Sequence, residues 1–264
     1  KIYKWLDIKE YLILRASGEF VMTQDSAFGT LLYDTRKGHE GWCNPVCKMV
    51  GVNIEHMPTI KKSTEEVGKI TEKAAKELGL AEGTAVYGGG GDASLIGVGA
   101  GAVEIGDTHI YSGTSGWVGT VVPEQIVDAG AMMAAIVGVD PEAYNYFGEL
   151  ETSNKCVSWV KDHLALDEIG VFLKKYGNAS DSFEQVEFNL YDYLEEVIDT
   201  IPAGSNGVVF TPWLHGNRCP FEDPNAAGMF FNIRLETGKT ELIRAVVEGI
   251  CFHMRWMLER QEQK

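Results

Sequence analysis

The sequence predicts an α/β fold, and three observations carry that reading. Short β-prone runs alternate with apolar residues at helical spacing along the whole chain, without a repeat or a low-complexity tract. Residues 84–87 (TAVY) read as a strand feeding Gly88-Gly89-Gly90-Gly91-Asp92 and then a small apolar helix. Residues 108–111 and 117–122 read as two strands joined by the polar turn Ser112-Gly113-Thr114-Ser115-Gly116, a β-hairpin.

Residues 1–15 set aromatic and aliphatic side chains at helical spacing, and Ser17-Gly18-Glu19 breaks that pattern. Residues 24–32 read as loop followed by helix, and 42–49 as a short helix closed off by Met57-Pro58. Ser63-Thr64-Glu65-Glu66 has the form of a capping box. Behind it Val67, Ile70, Ala74 and Leu78 form one apolar stripe and Gly79 supplies a stop, which predicts the clearest helix of the chain. Residues 93–102, small and apolar with Gly97, Gly99 and Gly101, predict a closely packed buried helix. Helices are predicted again over 154–163 and 190–201, and a strand over 207–210 that leads into the Pro/Gly-rich loop 211–228. The chain closes with an amphipathic helix whose stripe runs Leu242, Val246, Gly249, Cys251 and Phe252. A composition shift near Gly106 marks the candidate domain boundary.

The 264 residues are 45% hydrophobic and 23% charged, ordinary values for a globular chain of one large or two small domains. Acids outnumber bases 38 to 23, a formal charge of −15. That balance argues against a nucleic-acid partner, since non-specific binding needs a basic surface to displace counterions from phosphates. A phosphate-bearing ligand stays open, because backbone N–H groups hold phosphate without basic side chains. No apolar run approaches the roughly 20 residues of a membrane span, and the first residues have no signal-peptide core. The five cysteines are odd in number and scattered, as in a reducing compartment, so a cytoplasmic protein is expected. The first residue is not Met, and residues 239–264 stop without the Gly, Asn or Pro that usually follows a helix, so a longer parent chain is expected.

Three constellations carry chemistry. Four glycines after a strand let the backbone turn sharply and a ligand approach without a Cβ in the way. Asp92, placed directly behind them, is either a helix N-cap or a fixed proton acceptor, and one Asp can do both. The hairpin tip presents N–H groups and hydroxyls that can cradle phosphate oxygens, or it is a plain turn. In the third segment, residues 212–224, Arg218 serves either a phosphate or, slightly favoured, a buried carboxylate. No dinucleotide fingerprint, Walker loop or G-x-S-x-G elbow is present. His39, Cys43 and Cys47 have ligand-like spacing but no fourth partner nearby, so no metal-ligating set is assigned. Asn178-Ala179-Ser180 fits a glycosylation pattern that matters only in a secreted protein, and the aromatic residues around 147–159 and 252–256 read as core.

In this order the segments resemble the FGGY carbohydrate kinases. GGGGDASLIGVGAGAVEIGD resembles the family segment with the catalytic aspartate, and YSGTSGWVGT its first ATP-phosphate loop. GVVFTPWLHGNRCPFEDPNAAG resembles its second nucleotide loop, and ELIRAVVEGICFHMRWML its long helix. DIKEYLILRASGEFVMTQDSAFGTLLYD is similar to the stretch that closes the family's first domain. The resemblance implies an actin-like (ribonuclease H-like) fold with parts of two domains around a cleft. Residues 1–106 would be the C-terminal part of the sugar-side domain, and 107–264 the N-terminal part of the nucleotide-side domain. Carried over by position, Asp92 matches the catalytic base and, with Gly91, a substrate contact. Gly113 and Thr114 match the phosphate loop, and Gly216 a nucleotide contact. The implied reaction is phosphorylation of a sugar or polyol, xylulose-like by preference, with ATP and Mg²⁺; a homodimer is left open. Two departures stand out: Ala227 where many members have Arg, and Asn217 where several have Glu. The competing reading is an actin-like ATP-binding or regulatory module without turnover, and Asp92 beside the glycine run argues against it.

Overall fold

The structure, a computed structural model, describes residues 2–140, 142–165 and 183–264. The pattern at Asn178-Ala179-Ser180 lies outside the described residues. The chain divides into two compact units: Lys1–His109, Thr120–Ile126 and Ala135–Tyr146 make the first, and Ile110–Gly119, Val127–Ala134 and Phe147–Lys264 the second.

The first unit opens with extended chain rather than helix over residues 2–7. Its backbone and side-chain donors are used elsewhere: Trp5 N–H reaches His56 O at 2.8 Å, and Lys4 Nζ reaches Glu55 O and Met57 O. Helix α1 (Ile8–Ser17) then begins where the Asp7 side chain accepts the Ile8 N–H, and it ends at Gly18 with φ 84. Strand β1 (Val21–Thr23) is buried throughout, and α2 (Gln24–Gly29) follows at once, so the predicted order of loop and helix is reversed. Next, β2 (Tyr33–Asp34) pairs antiparallel with β3 (Gly41–Trp42), which takes Trp42 out of the predicted helix. That helix, α3 (Asn44–Met49), starts with Pro45 in its first turn, where the missing N–H costs nothing. Strand β4 (Thr59–Lys61) pairs parallel with β1.

The predicted capping box does not cap. Ser63 is buried against distant partners, and Val67 and Gly68 belong to β5 (Glu66–Lys69), not to a helix. Helix α4 (Glu72–Leu78) begins six residues after Glu66, with the Thr71 hydroxyl as its N-cap on Ala74 N–H. Only Ala74, Leu78 and the stop at Gly79 (φ 68) survive from the predicted stripe. The reason is pairing: β5 lies antiparallel to β6 (Ala85–Tyr87), and Val67 and Ile70 bury from that strand and its end, both packed with Val86. Helix α5 (Asp92–Gly99) follows, but the closely packed buried helix expected over 93–102 holds only along the face of Ser94 and Gly97, where a Cβ on Gly97 would stand 2.9 Å from the His109 ring; Leu95 and Val98 are exposed.

The largest sheet has five strands: β7 (Thr108–Ser112), β8 (Gly116–Val122), β9 (Val127–Asp128), β10 (Met133–Val137) and β11 (Tyr144–Leu150), in the order β7-β8-β11-β10-β9. Its first two strands are the predicted hairpin. Strands β10 and β11 have no counterpart in the sequence reading. Alternate residues of β10 are buried, Met133, Ala135 and Val137 among them, but two central alanines and the Asn and Gly of β11 hide the β signal.

In the second unit, α6 (Asn154–Val160) runs on into a π-helical turn, Lys161–Ala165, and α7 (Phe183–Thr200) starts earlier than predicted. Strand β12 (Val209–Thr211) pairs antiparallel with β13 (Met229–Phe231) across the long loop. The closing helix, α8 (Lys239–Gln261), starts with the Glu241 carboxylate accepting the Gly238 N–H at 3.0 Å. Its buried face runs Ile243, Val246, Gly249, Ile250, His253, Met254 and Met257. Cys251, Phe252 and Trp256 are exposed, so the predicted stripe is rotated toward its neighbour and the core reading of 252–256 fails. The rotation is set by Gly249, whose missing Cβ would collide with the carbonyl of Phe210, so α8 approaches β12 along that face. Val118, Met133, Leu150, Val160, Ile243, Val246 and Met257 are among the most enclosed apolar side chains of this unit, and truncating such a residue costs about 2–5 kcal/mol. Among the described residues, no helix is long and apolar enough to cross a membrane.

Candidate active site

In the first unit the glycine run is a loop held at both ends. Lys9 Nζ donates to Gly88 O at 3.1 Å and to Thr23 Oγ1 at 2.8 Å, and it pairs with the buried Glu10 carboxylate at 2.9 Å. At the other end Asp25 Oδ2 accepts the Gly91 N–H at 2.6 Å. Between them, Gly88 N–H reaches Glu65 O and Gly89 N–H reaches Ser63 O. Two of the glycines are required by what crowds them. A Cβ on Gly88 would lie 2.6 Å from Thr23 Cγ2, and one on Gly90 would lie 2.8 Å from Asp25 Oδ2.

Gly91, not Asp92, is the N-cap of α5, and it has no capping side chain. Asp92 occupies the first helical position, exposed, with Oδ1 accepting the Ala93 N–H at 2.9 Å. Gly91 thus takes the N-cap position, while one oxygen of Asp92 still satisfies one of the helix's first amides. A carboxylate there is favoured by the positive end of the helix, and its remaining lone pairs face solvent.

In the second unit the hairpin tip is held mainly by backbone. Gly113 N–H bonds Ser115 O at 2.8 Å, and the first amides of α6 close on the tip: Ser153 N–H reaches Thr114 O at 3.0 Å, and Asn154 N–H reaches Gly113 O at 2.8 Å. The Asn154 side chain donates to Ser112 O, and the Ser112 and Ser153 hydroxyls share a bond of 2.7 Å. The side chains of Ser112 and Thr114 remain exposed. A Cβ on Gly113 would collide with the Tyr111 ring, which itself stacks on Trp117 at 3.9 Å.

Gly216 is buried within the loop 211–228, at φ 76, where a Cβ would press on the backbone of Asp223 and Pro224 at about 3 Å. Arg218 pairs with the Glu149 carboxylate and lies 3.6 Å from Glu151, which realises the structural alternative for that residue. Burial alone would lower the guanidinium's pKa, but the two carboxylates outweigh it and hold the value up. Buried His253 has two partners in the neutral form. Nε2–H donates to Cys219 O at 2.7 Å, and Nδ1 accepts from Trp213 Nε1–H at 3.2 Å. Burial keeps its pKa below the ordinary imidazole value. Burial likewise pushes the Cys156 thiol up to about 11 and raises Cys219, so neither is poised as a nucleophile at neutral pH.

Both predicted nucleotide segments meet the end of β11 and the short stretch that follows it. Glu149 and Glu151 hold Arg218, the Thr152 hydroxyl donates to Pro212 O at 2.5 Å, and Ser153 and Asn154 hold the tip. Two family models match the chain: the N-terminal domain of the FGGY family of carbohydrate kinases over residues 1–99, and its C-terminal domain over residues 109–264. The chain belongs to the FGGY family. Among curated proteins it is 28% identical over 252 residues to xylulose kinase of Bacillus subtilis (strain 168), covering 95% of this chain and 46% of that one. It is 24% identical to gluconokinase of the same strain, covering 96% and 47%. Among solved structures, ligand-bound xylulose kinase from Lactobacillus acidophilus superposes with a TM-score of 0.77 at 27% identity, over 96% of this chain and 46% of that one. A xylulose kinase from Rhodospirillum rubrum shares the fold at a TM-score of 0.79 and 19% identity, over 99% and 48%. The chain thus spans about half the length of the relatives it matches.

The FGGY membership gives the two departures a structural reading. Asn217 is buried, and its Nδ2 donates to the carbonyls of Cys219 and Phe221. A glutamate at that position could not donate to either carbonyl. Ala227 is exposed and touches the loop through its carbonyl, which accepts the Thr211 hydroxyl at 3.4 Å, so no side chain is required there. Sequence reasoning missed Lys9, Asp25 and Ser63, the residues that hold the glycine loop. Thr23-Gln24-Asp25-Ser26 reads as ordinary helix-start sequence, and Ser63 as a cap, so no local signal sets them apart. Among the described residues no group of three or more His, Cys, Asp or Glu side chains is arranged to hold a metal ion.

Proposed function

We propose that the protein transfers the γ-phosphoryl group of ATP to a hydroxyl of a sugar or polyol, with a xylulose-like ketose as the favoured acceptor. One observation carries the reading: an exposed carboxylate, Asp92, opens a helix directly behind a clamped glycine loop, in a chain matched by both FGGY family models. The acceptor hydroxyl oxygen attacks the γ-phosphorus while Asp92 takes its proton, and the bond to the ADP oxygen breaks. With one carboxylate oxygen on the local Ala93 N–H, the other is available for the incoming hydroxyl. Gly91 lets the acceptor approach without a side chain in between. Gly113 and Thr114 are assigned to the nucleotide phosphates and Gly216 to a nucleotide contact. Residue 106 stays our boundary between the sugar-side and nucleotide-side domains.

Mg²⁺ held by ATP phosphates and water needs only one or two protein oxygens, and the Thr114 hydroxyl is a hard donor of that kind. When bound, the ion offsets charge on the transferred group. The five free cysteines support a reducing, cytoplasmic setting. Exposed apolar side chains at Ile2, Tyr3, Trp5, Ile8 and Leu12 support self-association, read by light scattering.

The test is coupled ADP release from the full chain with ketoses, aldonic acids and polyols. Sugar-dependent release that Asp92→Asn abolishes, with ATP binding kept, is the expected result. ATP binding that no acceptor turns into ADP release would indicate a binding module instead.

A further inference from the structure

We propose that Asp25 is a positioning residue for phosphoryl transfer, setting the place of Asp92 through its bond to Gly91; this rests on the reading of Asp92 as the base. The Asp25 carboxylate is 8% exposed, and a charge so enclosed must be met by donors. Oδ1 accepts from the Thr23 hydroxyl at 2.6 Å and the Ser63 hydroxyl at 2.9 Å, while Oδ2 accepts the Gly91 N–H at 2.6 Å. The Gly91 N–H can only donate and both hydroxyls donate here, so the carboxylate accepts at both oxygens; the isosteric amide keeps an acceptor at one of them and carries no charge. Bonds of this length to an ionised acceptor are the strong kind.

The bonded amide belongs to the residue just before Asp92. Gly91 therefore cannot rotate without breaking a charge-assisted bond, and the backbone entering Asp92 is fixed with it. Around Asp25 the supports are themselves fastened. Gln24 Oε1 accepts the Ser63 N–H at 2.9 Å, Ser63 O accepts the Gly89 N–H, and Lys9 joins Thr23 Oγ1 to Gly88 O. A Cβ on Gly90 would crowd Asp25 Oδ2 at 2.8 Å, so the glycine leaves room for the carboxylate. Proton abstraction tolerates little error in the base: a displacement of about 1 Å costs about 10²-fold in rate.

The experiment compares kcat and KM of sugar-dependent ADP release in the full chain for wild type, Asp25→Asn, Asp92→Asn and the double variant. Asp25→Asn should lower kcat about 10- to 100-fold and leave the KM for ATP within about twofold. Once Asp92 is replaced, Asp25 has nothing left to position, so the double variant should match Asp92→Asn. A double variant slower than Asp92→Asn by the full Asp25→Asn factor overturns the proposal. So does an Asp25→Asn enzyme with normal kcat and only a lowered Tm. Full turnover in Asp92→Asn sinks the base reading and this proposal together, whereas an inactive Asp92→Asn beside a normal Asp25→Asn sinks this proposal alone. If Asp25→Asn does not fold, Ser63→Ala removes one donor from Oδ1 and keeps the Gly91 bond. It should lower kcat a few-fold, again only where Asp92 is present, and an unchanged kcat overturns the proposal.

Discussion

The glycine loop of the first unit and the hairpin tip of the second both depend on glycine, but different parts of the chain crowd them. Around Gly88 and Gly90 the obstacles are Thr23 and Asp25, more than sixty residues earlier in the sequence. Around Gly113 the obstacle is Tyr111, two residues away. The holding bonds differ in the same way. The loop hangs on the side chains of Lys9 and Asp25 together with the backbone carbonyls of Ser63 and Glu65. The tip is closed mostly by backbone amides at the start of α6. A loop held by side chains is adjustable by single substitutions far from it, whereas a tip held by backbone resists side-chain changes and yields only to an added Cβ.

The largest effect falls on the chemistry beside the loop. Asp92→Asn should reduce kcat by roughly 10²- to 10⁴-fold at a cost in stability of no more than about 1 kcal/mol, since the side chain is exposed, and a kcat within twofold of wild type would refute its role. Next come the glycines. Gly88→Ala should destabilise the first unit by about 1–3 kcal/mol, measured as a lower urea midpoint, and Thr23→Ser should recover part of that loss by removing the crowding methyl. Gly113→Val should drive the side chain into Tyr111 and raise the KM for ATP, with the KM for sugar unchanged. A raised sugar KM with an unchanged ATP KM would contradict the division of labour.

A smaller effect is set by pH in the loop 211–228. Burial holds His253 below the ordinary value of about 6.5, so the unfolded chain takes up the proton first. Its contribution to stability is complete above about pH 6.5 and is lost as pH falls through the lower folded value. Urea midpoints of wild type should drop between pH 7 and 5 more steeply than those of His253→Gln; equal slopes would show that the ring is not buried as a neutral group. The smallest effect is expected at Arg218. It is 53% exposed, so solvent screens its pairing with Glu149 and Glu151, and Arg218→Gln should cost less than about 1 kcal/mol.

Elements with local punctuation were legible in the sequence. The hairpin 108–122, the strand before the glycines and the small helix after them, and the stop at Gly79 all follow from turn residues and periodicity over a few positions. Elements whose signal is shared between distant segments were not. Val67 and Ile70 match a helical stripe as well as they match a short strand, and only pairing with β6 decides between them. Strands β10 and β11 have weak propensity and are strands because the sheet supplies their partners.

The site divides along the same line. By itself the sequence singled out the candidate residue types, namely an aspartate behind glycines, hydroxyls on a tight turn and an arginine in a proline-rich loop, because each is a local pattern. The tertiary structure alone decided that Gly91, not Asp92, takes the N-cap position and that Arg218 faces carboxylates. It alone brought Lys9, Asp25 and Ser63 to the glycine loop, and Glu149 through Asn154 to the hairpin tip and the loop 211–228. A hydrogen bond between residues sixty positions apart leaves no mark on local spacing, since it exists only once burial has excluded the water that would otherwise take its place.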